Sequence, residues 1–233
     1  MGGNSKGIRK SLNYGVGSYN KKKDILDNLK IIKKKIKIKR KKIILLNQIH
    51  SNKFCYIDKN FNFKKNSYKG DAIITTQKNI AIAVLTADCA PILLHDKNKN
   101  MISAIHTGWK GAYKDIVKNV VNFMLKKGCT TKTITAAIGP CISVKNYEVK
   151  KNFVLKFLKK NNKNKIFFIR KKNKIFFNLN KFIYFQLKSL NIKSIEIINK
   201  DTFDIKNNFF SARRSISRNE DDYGRNISII MIN

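Results

Sequence analysis

A cysteine and a histidine seventeen positions apart hold the strongest chemical signal in this chain. Cys89 lies in Leu85-Thr-Ala-Asp-Cys-Ala-Pro91 and His106 opens His106-Thr-Gly-Trp-Lys-Gly111, each just past an apolar run. Cysteine and histidine are the side chains of nucleophilic catalysis and of zinc or copper binding. There are 3 histidines in all, and His50 also ends an apolar run. His50, Cys89 and His106 together would supply three protein ligands and leave a fourth position open, as a catalytic zinc requires. Such an ion supplies hydroxide near neutral pH. Sulfur with two imidazoles would also suit copper. Asp88, next to Cys89, could act as a general acid/base or orient a ligating imidazole. Spacing alone leaves two further readings open. Cys89 could be a nucleophile with a histidine base, or an inert buried thiol.

Weaker signals concern anions. Gly108-Trp-Lys-Gly111 opens a helical pattern, where backbone N–H groups can hold negative charge. Arg213 and Arg214 stand out because arginine is scarce, lysine outnumbering it 43 to 7. A paired arginine can clamp phosphate; surface salt bridges are the competing reading. Ile138-Gly-Pro-Cys141 reads as a structural turn, and His95 as structural.

These residues must be positioned by strands and helices. A basic amphipathic helix is expected from Asp24 to about Lys37. Strands are expected at Ile43–Ile49, continuing at Phe54–Ile57, and at Asp71–Thr75 and Ile80–Thr86 around a Gln77-Lys-Asn79 turn. Pro91–His95 and Met101–His106 read as a hairpin. A helix follows from Gly111, closed by Gly128. Then come a strand at Thr133–Ile138, a helix at Tyr147–Leu158 and a short strand at Ile166–Ile169. A helix at Asn178–Leu190 precedes strands at Ile195–Ile198 and Ile227–Ile232. With no internal repeat and no linker, residues 1–233 read as a single mixed α/β domain.

Composition sets the outer bounds. The formal net charge is +36, which suggests nucleic acid or an anionic membrane surface. Lysine, asparagine, isoleucine and phenylalanine share A/T-rich codons, so the charge reads first as compositional drift onto a solvated face. Nucleic-acid readers favour arginine, so no specific nucleic-acid partner is expected. Cys55, Cys89, Cys129 and Cys141 form no C-x-x-C pair, which fits free thiols in a reducing cytoplasm. The longest apolar run, Ile80 to Ala87, is too short to span a bilayer. Met-Gly-Gly-Asn-Ser-Lys has the glycine of a myristoylation signal but Lys6 where Ser or Thr is wanted.

Five ordered motifs make the reading sharper. They are Asn47-Gln-Ile-His50, Ala83-Val-Leu-Thr-Ala-Asp-Cys-Ala-Pro91, His106-Thr-Gly-Trp-Lys-Gly111, Ala137-Ile-Gly-Pro-Cys141, and Phe209-Phe-Ser-Ala-Arg-Arg214 with Gly224-Arg225. Together they resemble the laccase-domain family once called multicopper polyphenol oxidoreductases. That family is associated with purine nucleoside phosphorylase activity and, in bacteria, with peptidoglycan editing. Ser11-Leu-Asn-Tyr-Gly15 is similar to its N-terminus. The resemblance implies a four-layer α-β-β-α sandwich and a zinc held by His50, Cys89 and His106. It implies phosphorolysis of adenosine, inosine, guanosine and S-methyl-5′-thioadenosine, and hydrolytic deamination of adenosine. Asn13, Lys110, Arg213 and Arg214 are then the substrate- and phosphate-binding candidates, and Asp88, Cys89 and His106 the catalytic ones. Lys110 stands where many members have arginine, which replaces a bidentate fork by a point charge. Ser51 stands where many have glycine, and the loop Ser215–Tyr223 is longer than the expected turn. Peptidoglycan editing, a cysteine-nucleophile hydrolase and a basic nucleic-acid-binding protein are the alternatives.

Overall fold

The computed structural model describes residues 13–14, 22–35, 42–61, 68–78 and 80–232. Outside these lie Ile36 and Lys37 of the first expected helix, Asn79 of the expected Gln77-Lys-Asn79 turn, the N-terminal Met-Gly-Gly-Asn-Ser-Lys, and Ser11, Leu12 and Gly15 of the Ser11–Gly15 motif.

Helix α1 (Lys22–Lys35) precedes strands β1 (Lys42–Ile44), β2 (Phe54–Ile57), β3 (Ala72–Thr75), β4 (Ile80–Thr86), β5 (Ala90–Asp96) and β6 (Met101–Thr107). Then follow α2 (Trp109–Tyr113), α3 (Ile116–Lys126), β7 (Ile134–Ile138), β8 (Glu148–Val149) and α4 (Lys151–Lys160). The chain ends with β9 (Phe168–Lys171), β10 (Lys174–Phe177), α5 (Leu179–Ser189), β11 (Ser194–Ile197), α6 (Ala212–Ser217) and β12 (Asn226–Met231). A six-stranded mixed sheet has the order β11-β7-β5-β6-β3-β2. A three-stranded sheet has the order β1-β4-β12, and a small one β8-β10-β9.

Alternation along the strands sorts side chains to the two faces of the large sheet. On one face Ala72, Ile74, Ile92, Leu94, Ile105 and Ile138 pack with α3 and α5 residues such as Val120, Val121 and Ile183. On the other, Ile73, Ile102 and Ala104 pack with Ile82 and Val84 of the three-stranded sheet. Helices, large sheet and small sheet are thus three successive layers. On α1, Ile25 and Asn28 are buried. Asn28 Nδ2 donates to the Asn13 carbonyl, and Asn13 Oδ1 accepts from Arg225 N at the entry to β12. This ties α1 to the side of the three-stranded sheet, which agrees with the mixed α/β sandwich expected.

The β5–β6 hairpin forms as its sequence suggests, paired from Ala90↔Thr107 to Asp96↔Met101. Asp96 Oδ1 accepts the N–H groups of Asn98 and Lys99 and so closes the turn. Gly128 takes φ +89 beyond α3, a left-handed conformation that glycine adopts without strain. The helix expected from Gly111 is divided in two by Asp115 at φ 63.

Three expectations are corrected. The run Ile43–Ile49 is strand only to Ile44. From there the chain leaves the three-stranded sheet and enters the six-stranded one at β2, so Phe54–Ile57 does not continue the same strand. The helix placed at Tyr147–Leu158 begins at Lys151, because Glu148–Val149 pairs with β10. Ile166 and Phe167 close a 3-10 turn, and the strand starts at Phe168, pairing with an unforeseen neighbour, β10.

Candidate metal centre

The chain passes from the three-stranded to the six-stranded sheet twice on the way to the site, between β1 and β2 and between β4 and β5. His50 lies in the first passage and Asp88-Cys89 in the second. Each passage needs one left-handed residue, His50 at φ 54 and Asp88 at φ 83. His106 needs no such device. It is the sixth residue of β6, opposite Pro91, on the face that carries Ile102 and Ala104. The three side chains converge at the seam between the two sheets, their ligand atoms all within 4.8 Å of one another. Cys89 Sγ stands 4.0 Å from His50 Nε2, and the imidazole rings cross at 80° with centroids 4.8 Å apart.

Gly108 makes this approach possible. A Cβ there would sit 2.7 Å from Cys89 Sγ and 3.3 Å from His50 Cδ2. Cys141, the other nearby thiol, is buried beside Asn180 Oδ1 and outside the cluster. His95 is exposed at the far end of β5.

Sequence reading missed Asp71. It is 1% exposed and precedes β3, where its backbone carbonyl accepts His106 N at 2.7 Å. Its Oδ1 lies 2.9 Å from His106 Nδ1 and accepts His50 N at 2.9 Å. Its Oδ2 accepts Ser51 N at 2.6 Å and the Ser51 hydroxyl at 2.7 Å. One carboxylate therefore fixes the ring of one candidate ligand and the backbone of the other. With Nδ1 held by Asp71, Nε2 is the His106 nitrogen left to ligate, the arrangement common around metal-bound histidine.

The cluster is electrostatically coupled. Burial pushes the Cys89 thiol up, but His106 beside it and then His50 outweigh this and hold it near 6. Burial pushes His106 down, and the Cys89 sulfur and Asp71 outweigh that, raising it. Asp71 is raised by burial and lowered more by His106 and Ser51, to about 2. A deprotonated sulfur next to two imidazoles is a metal-ligand set. Ideal zinc bond lengths put sulfur and nitrogen of one tetrahedron ~3.5 Å apart, so the observed spacing fits an ion after small side-chain adjustments.

A cavity of about 490 Å³ opens on this cluster. Leu45, Leu46, Leu85 and Ala87 make apolar walls, and Tyr223 and Arg225 complete the rim. The other expected residues are distributed differently. Asn13 is fully buried, and it holds the backbone of Arg225 through its Oδ1. Lys110 is exposed beside Trp109. Arg213 stacks over Tyr147 and donates to the Glu148 carbonyl, in a neighbouring pocket with Trp109 and Phe153. Arg214 is a bracket: its guanidinium donates to the carbonyls of Thr202, Phe203 and Phe209. Asp88 accepts the Thr202 hydroxyl at 2.7 Å and Arg213 N at 2.6 Å. No described helix is long and apolar enough to cross a membrane.

Comparison with known proteins identifies the family and the fold. The family model described as multi-copper polyphenol oxidoreductase laccase matches residues 1–233. A Rickettsia conorii protein named purine nucleoside phosphorylase is 35% identical over 224 residues, covering 94% of this chain and 91% of that protein. One of the same name from Rickettsia prowazekii is 36% identical over 179 residues, 76% of this chain and 72% of its own. A solved Neisseria meningitidis protein superposes with a TM-score of 0.85 at 25% identity, over 100% of this chain and 91% of the other. YlmD from Geobacillus stearothermophilus gives 0.86 at 20% identity, over 99% and 88%.

Proposed function

Since this chain belongs to the multi-copper polyphenol oxidoreductase laccase family, we propose that it is a zinc-dependent purine nucleoside phosphorylase that also deaminates adenosine. The observation that carries this reading is the convergence of His50, Cys89 and His106 on the wall of a cavity of nucleoside size. The names of the relatives supply the substrate class. Adenosine, inosine, guanosine and S-methyl-5′-thioadenosine are the proposed nucleosides, and the cytoplasm is the proposed compartment.

Phosphorolysis forms a bond from a phosphate oxygen to C1′ of the ribose and breaks the C1′–N9 bond. The electron pair leaves with the purine, which then takes a proton. The protein must hold both substrates in line and shut out competing water. Leu45, Leu46 and Leu85 provide apolar surface for that. His106 is held rigid by Asp71, while His50 is exposed at the cavity mouth. Asp88 is the proposed proton carrier, fixed in orientation by Thr202 and Arg213 N. A zinc ion on Cys89, His50 and His106 would supply an acidified water for deamination and a Lewis acid for either reaction; copper would suit the same donors.

A second reading rests on one observation, the Asp71–His106 hydrogen bond beside Cys89, whose sulfur lies within 4.8 Å of a His106 ring nitrogen. Without a metal, Cys89, His106 and Asp71 would be nucleophile, base and orienting carboxylate. Metal content separates the two. One zinc per chain, with Cys89 protected from iodoacetamide until the zinc is stripped, supports the metal reading.

The decisive measurement is release of free base and ribose 1-phosphate from the four nucleosides, with and without phosphate. Wild-type protein is expected to release base only with phosphate, and His106→Ala to fall to background. Wild-type turnover in His106→Ala would remove the cluster from the mechanism.

A further inference from the structure

We infer that Arg225 is the phosphate-binding residue of this cavity, in place of the arginine pair at 213–214. This rests on the phosphorolytic reading above and names the protein group that takes its inorganic co-substrate. Phosphate needs a cation next to the reacting centre, because desolvating an unpaired anion is costly. Among the described residues lining the cavity, Arg225 is the one lysine or arginine. His50, Cys89 and His106 line the same cavity. Arg214 is committed to three carbonyls, and Arg213 lines the separate pocket of Trp109 and Tyr147.

The segment around Arg225 is built to hold it still. Its backbone N–H donates to Asn13 Oδ1 at 2.8 Å, and its carbonyl accepts Tyr14 N at 3.3 Å. Its guanidinium lies over the Tyr223 ring at 4.4 Å. Nη1 donates to the Tyr223 carbonyl at 2.7 Å and meets Asp222 Oδ1 at 3.4 Å. Among the described residues, neither Nε nor Nη2 has a protein partner. A guanidinium pinned at one corner with two donor groups remaining can present a fork to a phosphate. Gly224 is part of the same construction, since a Cβ there would lie 2.4 Å from the Phe210 ring. Asn226 locks that phenylalanine by exchanging hydrogen bonds with its backbone N–H and carbonyl. Asn13 thereby acts on phosphate indirectly, as a positioning residue for Arg225.

The test compares wild type, Arg225→Gln and Arg225→Lys, all zinc-loaded and matched for melting temperature. Phosphate KM and inosine KM are measured, and inorganic phosphate is titrated calorimetrically into each. Losing a charged hydrogen-bonding partner is worth about a 10- to 100-fold weakening. Arg225→Gln is therefore expected to raise phosphate KM and phosphate Kd at least about tenfold, with inosine KM moving less than about threefold. Arg225→Lys should recover part of the loss, since it keeps charge without the fork. Phosphate KM and Kd within about twofold of wild type in Arg225→Gln would overturn the assignment, as would equal rises in both KM values. If wild type shows no phosphate-dependent turnover, the phosphorolytic reading fails, yet the titration still decides whether Arg225 binds phosphate. If Arg225→Gln does not fold, Arg225→Lys decides alone: unchanged phosphate KM and Kd overturn the inference.

Discussion

Asp71 spends both carboxylate oxygens on the candidate centre, and the cost of removing it can be stated in advance. Its Oδ1 orients His106 and its Oδ2 fastens the 49–51 turn that carries His50. Groups that orient a metal-bound imidazole typically change metal affinity about 10- to 100-fold when replaced. Asp71→Asn keeps the shape and one acceptor but loses the charge, so zinc affinity should fall within that range in competition with a chelator. Asp71→Ala should fall further, because Ser51 N–H and hydroxyl then lose their acceptor. Nitrogen-15 spectra of the zinc-free protein supply a readout independent of stability: without the Asp71 charge, which helps to raise it, His106 should lose its second ring proton at a lower pH than in wild type. Zinc affinity within about twofold of wild type in Asp71→Asn would mean that the loop and strand position the histidines unaided. Nothing local in the sequence marks this residue. Its importance comes from strand pairing that joins positions 35 apart, and period-2 alternation cannot say which strand becomes a neighbour.

At the scale of elements, local chemistry was readable where the chain pairs or coils with itself. The β5–β6 hairpin follows from two apolar runs around Asp96–Asn100. Helix α5 starts where Asn178 Oδ1 accepts Lys181 N, a local capping signal. His50, Cys89 and His106 could be picked out as candidates because each follows an apolar run, but what brings them together is the pair of passages between the sheets. What could not be read is the passage of β1 and β4 into different sheets from β2 and β5, since an apolar run carries no label for its sheet. Helix α6 was missed as well. Ser211 caps it in the usual way, but with six residues it shows no helical periodicity. Its arginine pair looked like an anion clamp, and only tertiary contacts reveal Arg214 as a strut between α6 and the 202–209 loop. Arg214→Ala leaves three carbonyls without that donor, which should cost about 1–3 kcal/mol in urea unfolding. Arg214→Lys should recover less than half, since one ammonium cannot reproduce the planar fork. A loss under about 0.5 kcal/mol in Arg214→Ala would show that water satisfies these carbonyls equally well.

Across the whole molecule the dominant quantity is charge: 50 lysines and arginines against 14 acids. Several of those acids are taken up inside the fold and, among the described residues, form no ion pair with a surface lysine. Asp71 serves the histidines, Asp96 the β5–β6 turn and Thr133, and Asp201 the hydroxyl of Ser143 and the amide of Asn146. The surface therefore carries a positive field whatever its origin in composition. Such a field concentrates anions near the cavity but has no grip on a neutral nucleoside. Screening separates the two substrates, because the Debye length falls to about 10 Å at 0.1 M salt. Between about 20 and about 300 mM potassium chloride, phosphate KM should rise several-fold while inosine KM stays within about 1.5-fold. The Arg225 contact is short-ranged and persists at both salt levels, so the Arg225→Gln defect should remain when the long-range part has been screened away. A phosphate KM indifferent to salt would leave the surface charge without a role in catalysis. A salt-sensitive affinity for single-stranded DNA that is unaltered in His50→Ala would instead mark the lysines as a separate, sequence-indifferent polyanion surface.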